Sequence, residues 1–315
     1  MSKEALKAGN LIAQPGSRTT GFLTCPEVEE KVPVTLICGK EEGMTVIICS
    51  GTHGAEFLGV ETALQLSREL DPEEIKGNII FTHPSNQPQF WGKTAYVGPD
   101  DGKNLNRVFP GRAKGTVSER IAYLISSQLL SQADFLIDMH SGDIHETLTP
   151  YVLHSKLGTE ESNKLSEQAA AVMGAGFHAY SEGKTGAIGY CALQGIPGIL
   201  PEIGEGARWT QPEVDFYAKG IRNVLKFLGV LPGEVEDMGE SRLVESNDVL
   251  FTTQDGLNYP NVKPGDKVKK GETVSVLKDF WGNVLEEYTA PKDGNVLFMA
   301  SALSLLKNDP VIGIG

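Results

Sequence analysis

The sequence predicts an α/β fold: a mixed, mostly parallel sheet with helices on both faces, followed by a small all-β, barrel-like domain. Two observations carry this. Short β-branched runs alternate with helically spaced apolar positions as far as residue 228, the pattern of a parallel sheet covered by crossover helices. Near Pro232-Gly233 the pattern changes. From about residue 240 the chain is short apolar segments punctuated by Gly, Asp and Pro, without a clear helix. The expected division is a catalytic domain over 1–235 and a β domain over 236–315.

The elements follow in order. Residues 32–38 and 45–49 read as strands, being β-branched and bounded by glycine and charge. Ser50-Gly51-Thr52-His53-Gly54 is a small-residue turn. Phe57, Val60, Leu64 and Leu70 then recur at helical spacing over 56–70. A strand at 77–82 precedes a long polar stretch, 84–116. A helix is expected over 117–131, a strand over 133–139, and helices over 160–173 and 212–228. Between the last two, Ile196-Pro197-Gly198-Ile199-Leu200-Pro201-Glu202 reads as a buried strand entering a loop.

Composition narrows the function. The chain has 315 residues, 40% apolar and 22% charged, which is ordinary for a globular protein. A formal net charge of -13 argues against nucleic acid and anionic membrane surfaces as partners. No apolar run approaches the roughly 18 residues of a membrane span. The polar start lacks the apolar core of a signal peptide, so a cytoplasmic location is the expectation. Cys25, Cys38, Cys49 and Cys191 form no CxxC pair and read as buried thiols.

The chemistry gathers at strand ends. His53 and Glu56 directly follow one predicted strand and His140 follows another, where open α/β sheets build their sites. Two histidines, a carboxylate and an open fourth position describe a catalytic zinc centre, one Zn2+ per chain. His-x-x-Glu alone is common, and a lone histidine after a strand is usually a loop residue. The second strand-end histidine is what makes the set a candidate. Asp138 shares a strand face with His140. It either supports the site from behind or is a plain structural acid.

Four motifs now stand in order: Gly51-Thr52-His53-Gly54-Ala55-Glu56, Lys103-Asn104-Leu105-Asn106-Arg107-Val108-Phe109-Pro110-Gly111, Asp138-Met139-His140-Ser141 and Glu202-Ile203-Gly204. Together they resemble the succinylglutamate desuccinylase/aspartoacylase family of the zinc carboxypeptidase superfamily. The resemblance implies a zinc-carboxypeptidase-like catalytic domain with His53, Glu56 and His140 as metal ligands. It implies Glu202 as general base, with Glu205 as the competing acid. It also implies that Asn106 and Arg107 hold a substrate carboxylate. One departure stands out. The family usually has an arginine before the Asn-Arg motif to stabilise the oxyanion, and here none lies between Arg68 and Arg107. Lys93 is the expected stand-in, as a point charge without the guanidinium fork.

In the second domain, Lys263-Pro264-Gly265-Asp266 and Ala290-Pro291-Lys292-Asp293-Gly294 resemble turns of biotinyl/lipoyl-type barrels. No attachment lysine has its usual context. Phe280-Trp281-Gly282-Asn283 occupies that region, so a structural or cleft-shaping role is expected.

The reading is therefore a zinc-dependent amidohydrolase, an N-acyl amino acid deacylase acting on a small carboxylate-bearing molecule. A metallocarboxypeptidase acting on short peptides is the alternative. A non-catalytic metal- or ligand-binding protein is the second, disfavoured by the retained Glu202. A homo-oligomer is left open.

Overall fold

The structure, a computed structural model, describes residues 3–315; residues 1 and 2 of the polar start lie outside the described residues. Nine strands form the central sheet: β1 (Ser17–Leu23), β2 (Val32–Cys38), β3 (Glu41–Ser50), β4 (Lys76–Thr82), β5 (Phe135–Met139), β6 (Tyr151–Ser155), β7 (Phe177–Ser181), β8 (Gly198–Glu202) and β9 (Arg242–Val244). Their order is β9-β7-β6-β8-β5-β3-β4-β2-β1. The pairs β9/β7, β7/β6, β8/β5, β5/β3 and β3/β4 are parallel. The others are antiparallel.

Helices cover both faces because the strands are apolar on both. Ile48, Ile79, Phe81, Ile137 and Met139 pack on one side against α1 (Phe57–Glu69), α4 (Glu160–Val172) and α6 (Gln211–Phe227). Their alternates Ile47, Cys49, Ile80 and Leu136 face the other side, against α3 (Val117–Gln128) and α5 (Ala187–Leu193). The period of two along a strand turns one continuous apolar run into two cores. Each fully buried side chain contributes about 1.5–3 kcal/mol relative to exposure. A further helix, α2 (Gln87–Gly92), opens the long polar stretch with Asn86 as its cap. All four cysteines are free and buried. Among the described residues, no helix is long and apolar enough to cross a membrane.

Two features differ from the sequence expectation. Residues 242–244 return to the large sheet as β9 before the chain enters the second unit, so residues beyond 236 also build the first. The second unit is two small antiparallel sheets, and no closed barrel forms. The reason is visible at Gly294–Ala300. One edge of that strand pairs with Lys267–Val268 at its start and with Glu146–Leu148 of the catalytic unit at its end. The edge that a barrel-closing strand needs is therefore taken by the neighbouring unit. Val268, Val274, Leu277, Val296 and Ile312 fill the space between the two sheets. Phe280 and Trp281 project from the turn after Thr273–Lys278, 85% and 84% exposed.

Candidate metal centre and active site

Parallel neighbours β3 and β5 end side by side, which brings His53 and His140 together. Gly51, at φ +62°, turns the chain out of β3, and a Cβ there would stand 2.3 Å from Pro84. Glu56 caps α1 one turn later. The two imidazole rings meet edge-on at 4.9 Å. His53 Nδ1 lies 2.6 Å from Glu56 Oε1, and His140 Nδ1 lies 3.0 Å from Glu56 Oε2. All three residues are buried, and their ligand atoms lie within 4.8 Å of one another.

The far side of each ring fixes its role. Asn104 Oδ1 accepts the main-chain N–H of Asn106 at 2.8 Å, which identifies it as the carbonyl oxygen. The same atom is 3.0 Å from His53 Nε2. An oxygen that only accepts requires a proton on Nε2, so an imidazole carrying a single proton would present its Nδ1 lone pair to Glu56. His140 Nε2 lies 3.3 Å from Asp138 Oδ2, an ionic contact rather than an aligned hydrogen bond. Asp138 Oδ1 accepts the Thr52 hydroxyl at 3.0 Å.

These facts test whether a divalent cation fits. A nitrogen lone pair and a carboxylate oxygen 2.6 Å apart repel unless a proton or a cation sits between them. Asp138 is completely buried with one oxygen lacking a hydrogen-bond partner. Burial lifts the Glu202 carboxyl well above its usual range; His140 opposes this, while Glu56 and Glu146 push it further up. Burial also acts against the charged forms of Glu56 and His140, yet their mutual attraction holds Glu56 low and His140 high. Two imidazoles among surplus buried negative charge are a donor set that suits a divalent cation.

β8 supplies Glu202, which is half-buried and bridges in parallel to His140. A pocket of about 310 Å³ opens here, lined by His53, His140, Asn106, Arg107 and Glu202 among others. Asn106 is anchored through its carbonyl, which accepts the Ala187 N–H at the start of α5 at 3.0 Å. Gly186 permits this, since a Cβ there would stand 2.6 Å from that oxygen. The amide nitrogen is thereby turned to the pocket, 3.5 Å from His140 Nε2. Arg107 is exposed, with Nη1 donating to the main-chain carbonyl of Asn106 at 2.8 Å. Glu205 is instead engaged with Arg208 at the surface.

The structure thus brings His53, His140, Glu202, Asn106 and Arg107 to one pocket, with Glu56 in contact with both imidazoles, and leaves Lys93 outside it. Lys93 is exposed and its Nζ turns back toward the Trp91 carbonyl, 3.5 Å away. Asn104, which meets His53 Nε2, was not singled out from sequence. Asn104 stood inside a quoted motif, and its place before Asn106 was the available signal. His83 is half-buried, with Nε2 against the Thr35 hydroxyl and its ring stacked on Phe81.

The fold and the pocket together define a family. The catalytic-domain profile of succinylglutamate desuccinylase/aspartoacylase matches residues 42–228. The chain belongs to the succinylglutamate desuccinylase/aspartoacylase family. It is 28% identical over 290 residues to the N-alpha-acetyl-L-2,4-diaminobutyric acid deacetylase of Halomonas elongata, covering 87% of this chain and 84% of that one. The product-bound ectoine utilization protein EutE of Ruegeria pomeroyi superposes with a TM-score of 0.85 at 25% identity, over 95% of both chains. A succinylglutamate desuccinylase/aspartoacylase from Rhodobacter sphaeroides gives 0.84 at 27% identity, over 94% of both.

Proposed function

We propose that this chain is a zinc-dependent amidohydrolase that deacylates a small N-acyl amino acid. The observation that carries the reading is the convergence of two histidine Nδ1 atoms on Glu56 beside Glu202, in a pocket that also holds Asn106 and Arg107. His53, Glu56 and His140 would hold the metal. The chemistry a bound cation supplies is Lewis acidity: it polarises a carbonyl and acidifies nearby water.

The chain's own residues do the rest. Glu202, whose charged form a cation held beside it would favour, takes a proton from the attacking water and returns it to the leaving amine. Arg107 offers a fork of donors to the substrate carboxylate, and the Asn106 amide adds a neutral donor. Asn104 and Asp138 hold the two rings from behind. A pocket near 310 Å³ is at the small end for ligand sites, which favours a compact amide. The deacetylase named for the Halomonas elongata relative supports this substrate class.

The test is a hydrolysis screen of N-acyl amino acids against short peptides, with and without chelator. Chelator-sensitive amine release from an N-acyl amino acid is expected. Glu202→Gln should lower kcat about 100- to 10,000-fold with metal content unchanged. Absence of chelator-sensitive release, or a Glu202→Gln protein at full rate, overturns the reading. Cleavage of peptides alone would instead make it a carboxypeptidase.

A further inference from the structure

Amide hydrolysis places negative charge on the scissile carbonyl oxygen as water adds to its carbon. A hydrogen-bond donor already aimed at that oxygen lowers the barrier. Among the residues lining the pocket, Arg107 is the one permanent cation, and it is engaged by the substrate carboxylate in the reading above. Lys93 turns away.

The loop after α2 does bring one donor to the ligands. Tyr96 packs edge-on against the His53 ring, with centroids 6.2 Å apart. Its backbone sits at φ +55°, a region bulky side chains rarely adopt. Such strain persists only where the surroundings enforce it. Here its N–H donates to Asp143 Oδ2 at 2.9 Å. Asp143 is fully buried, and its other oxygen takes the Ile144 N–H at 2.6 Å. Glu146, whose carboxylate takes the Asp143 N–H at 3.4 Å, lies on the short strand that the second unit holds.

We propose that Tyr96 donates the hydrogen bond that stabilises the oxyanion on the scissile carbonyl, in the place where no arginine is available. This rests on the deacylase reading. No bond to Tyr96 forms or breaks: its hydroxyl donates to the oxyanion as it develops and releases it when the charge collapses. Asp143 fixes the backbone from which the ring projects.

Tyr96→Phe keeps the ring against His53 and removes only the hydroxyl. On the N-acyl amino acid found by the screen, kcat should fall about 100- to 1,000-fold. KM should change by less than about threefold, and metal stoichiometry should be unchanged. Calorimetry gives a second readout. A phosphonate analogue of the tetrahedral intermediate should bind Tyr96→Phe weaker by a similar factor, while the carboxylate product binds both proteins equally. An active wild type whose Tyr96→Phe variant keeps kcat, or binds the phosphonate undiminished, overturns this inference alone. Loss of metal or of folded structure in Tyr96→Phe also overturns it, by making the role structural. A wild type inactive on the whole panel overturns the deacylase reading, and this one with it.

Discussion

The Tyr217 hydroxyl lies 3.0 Å from the main-chain carbonyl of His140 and 3.0 Å from that of Pro201. One buried phenol from α6 thus ties the end of β5, which carries a ligand candidate, to the strand that carries Glu202. The Pro201 carbonyl also accepts the His140 N–H at 3.0 Å. Tyr217→Phe removes the hydroxyl without opening a large cavity. It should cost about 1–2 kcal/mol in denaturant unfolding. The spacing between His140 and Glu202 should loosen, lowering kcat about tenfold by the usual sensitivity of catalysis to placement. Unchanged kcat in a destabilised variant would show that the tie serves only stability.

Asp138→Asn tests the support behind His140. The carboxylate is completely buried beside Nε2 and takes one hydrogen bond, from Thr52. Neutralising it removes charge that favours a cation on the far side of the ring. Metal affinity, measured by competition with a chromophoric chelator, should fall about 10- to 100-fold. Because a cation that binds only the folded state stabilises it, the thermal shift on adding zinc should shrink in parallel. An unchanged affinity would make Asp138 a structural acid.

Arg107 and Lys93 should separate cleanly. Arg107 lines the pocket, so Arg107→Ala should raise KM for a carboxylate-bearing substrate at least tenfold, with binding to the matching amide-capped compound little affected. Lys93 points back to its own helix end, so Lys93→Ala should leave kcat within about twofold. A large kcat loss in Lys93→Ala would mean that its turn rearranges when substrate enters. It would then restore the lysine as the oxyanion partner.

The sheet was legible wherever burial on both faces made a strand continuously apolar, as in 32–38, 45–49 and 133–139. β1 was not. Ser17–Leu23 alternates half-exposed and exposed residues at the sheet edge, and its polar Ser-Arg-Thr-Thr run carries no apolar signal. The second unit's strands were legible as short apolar segments, but closure was not. Closure depends on which edges are free, and Glu146–Leu148, far away in sequence, takes the decisive one. The same limit applies in the pocket. His53, Glu56 and His140 could be named because each follows a strand whose end is visible in the sequence. Tyr217 acts from 77 residues beyond His140 and Asn104 from 51 beyond His53, so their roles exist only in the folded register.

His83 gives a prediction about acid stability. Burial, with some repulsion from Arg68, lowers its pKa from 6.5 to about 4. Its Nε2 meets the Thr35 hydroxyl at 2.9 Å, while Nδ1 has no partner, so the folded protein holds the ring neutral. The unfolded chain binds a proton near pH 6.5 and the folded one only near pH 4. Stability from this residue is therefore present above pH 6.5 and is lost as the pH falls through that window. For one group with this shift, the loss from pH 7 to pH 5 is roughly 2 kcal/mol. His83→Asn keeps a polar side chain and removes the titration. Urea unfolding at pH 7 and pH 5 should show a smaller drop for the variant than for wild type, by about that amount. His154 and His178, whose pKa values burial also lowers, remain in both proteins and should leave a residual acid sensitivity of the same sign. Equal drops in the two proteins would mean that His83 gains its proton without unfolding.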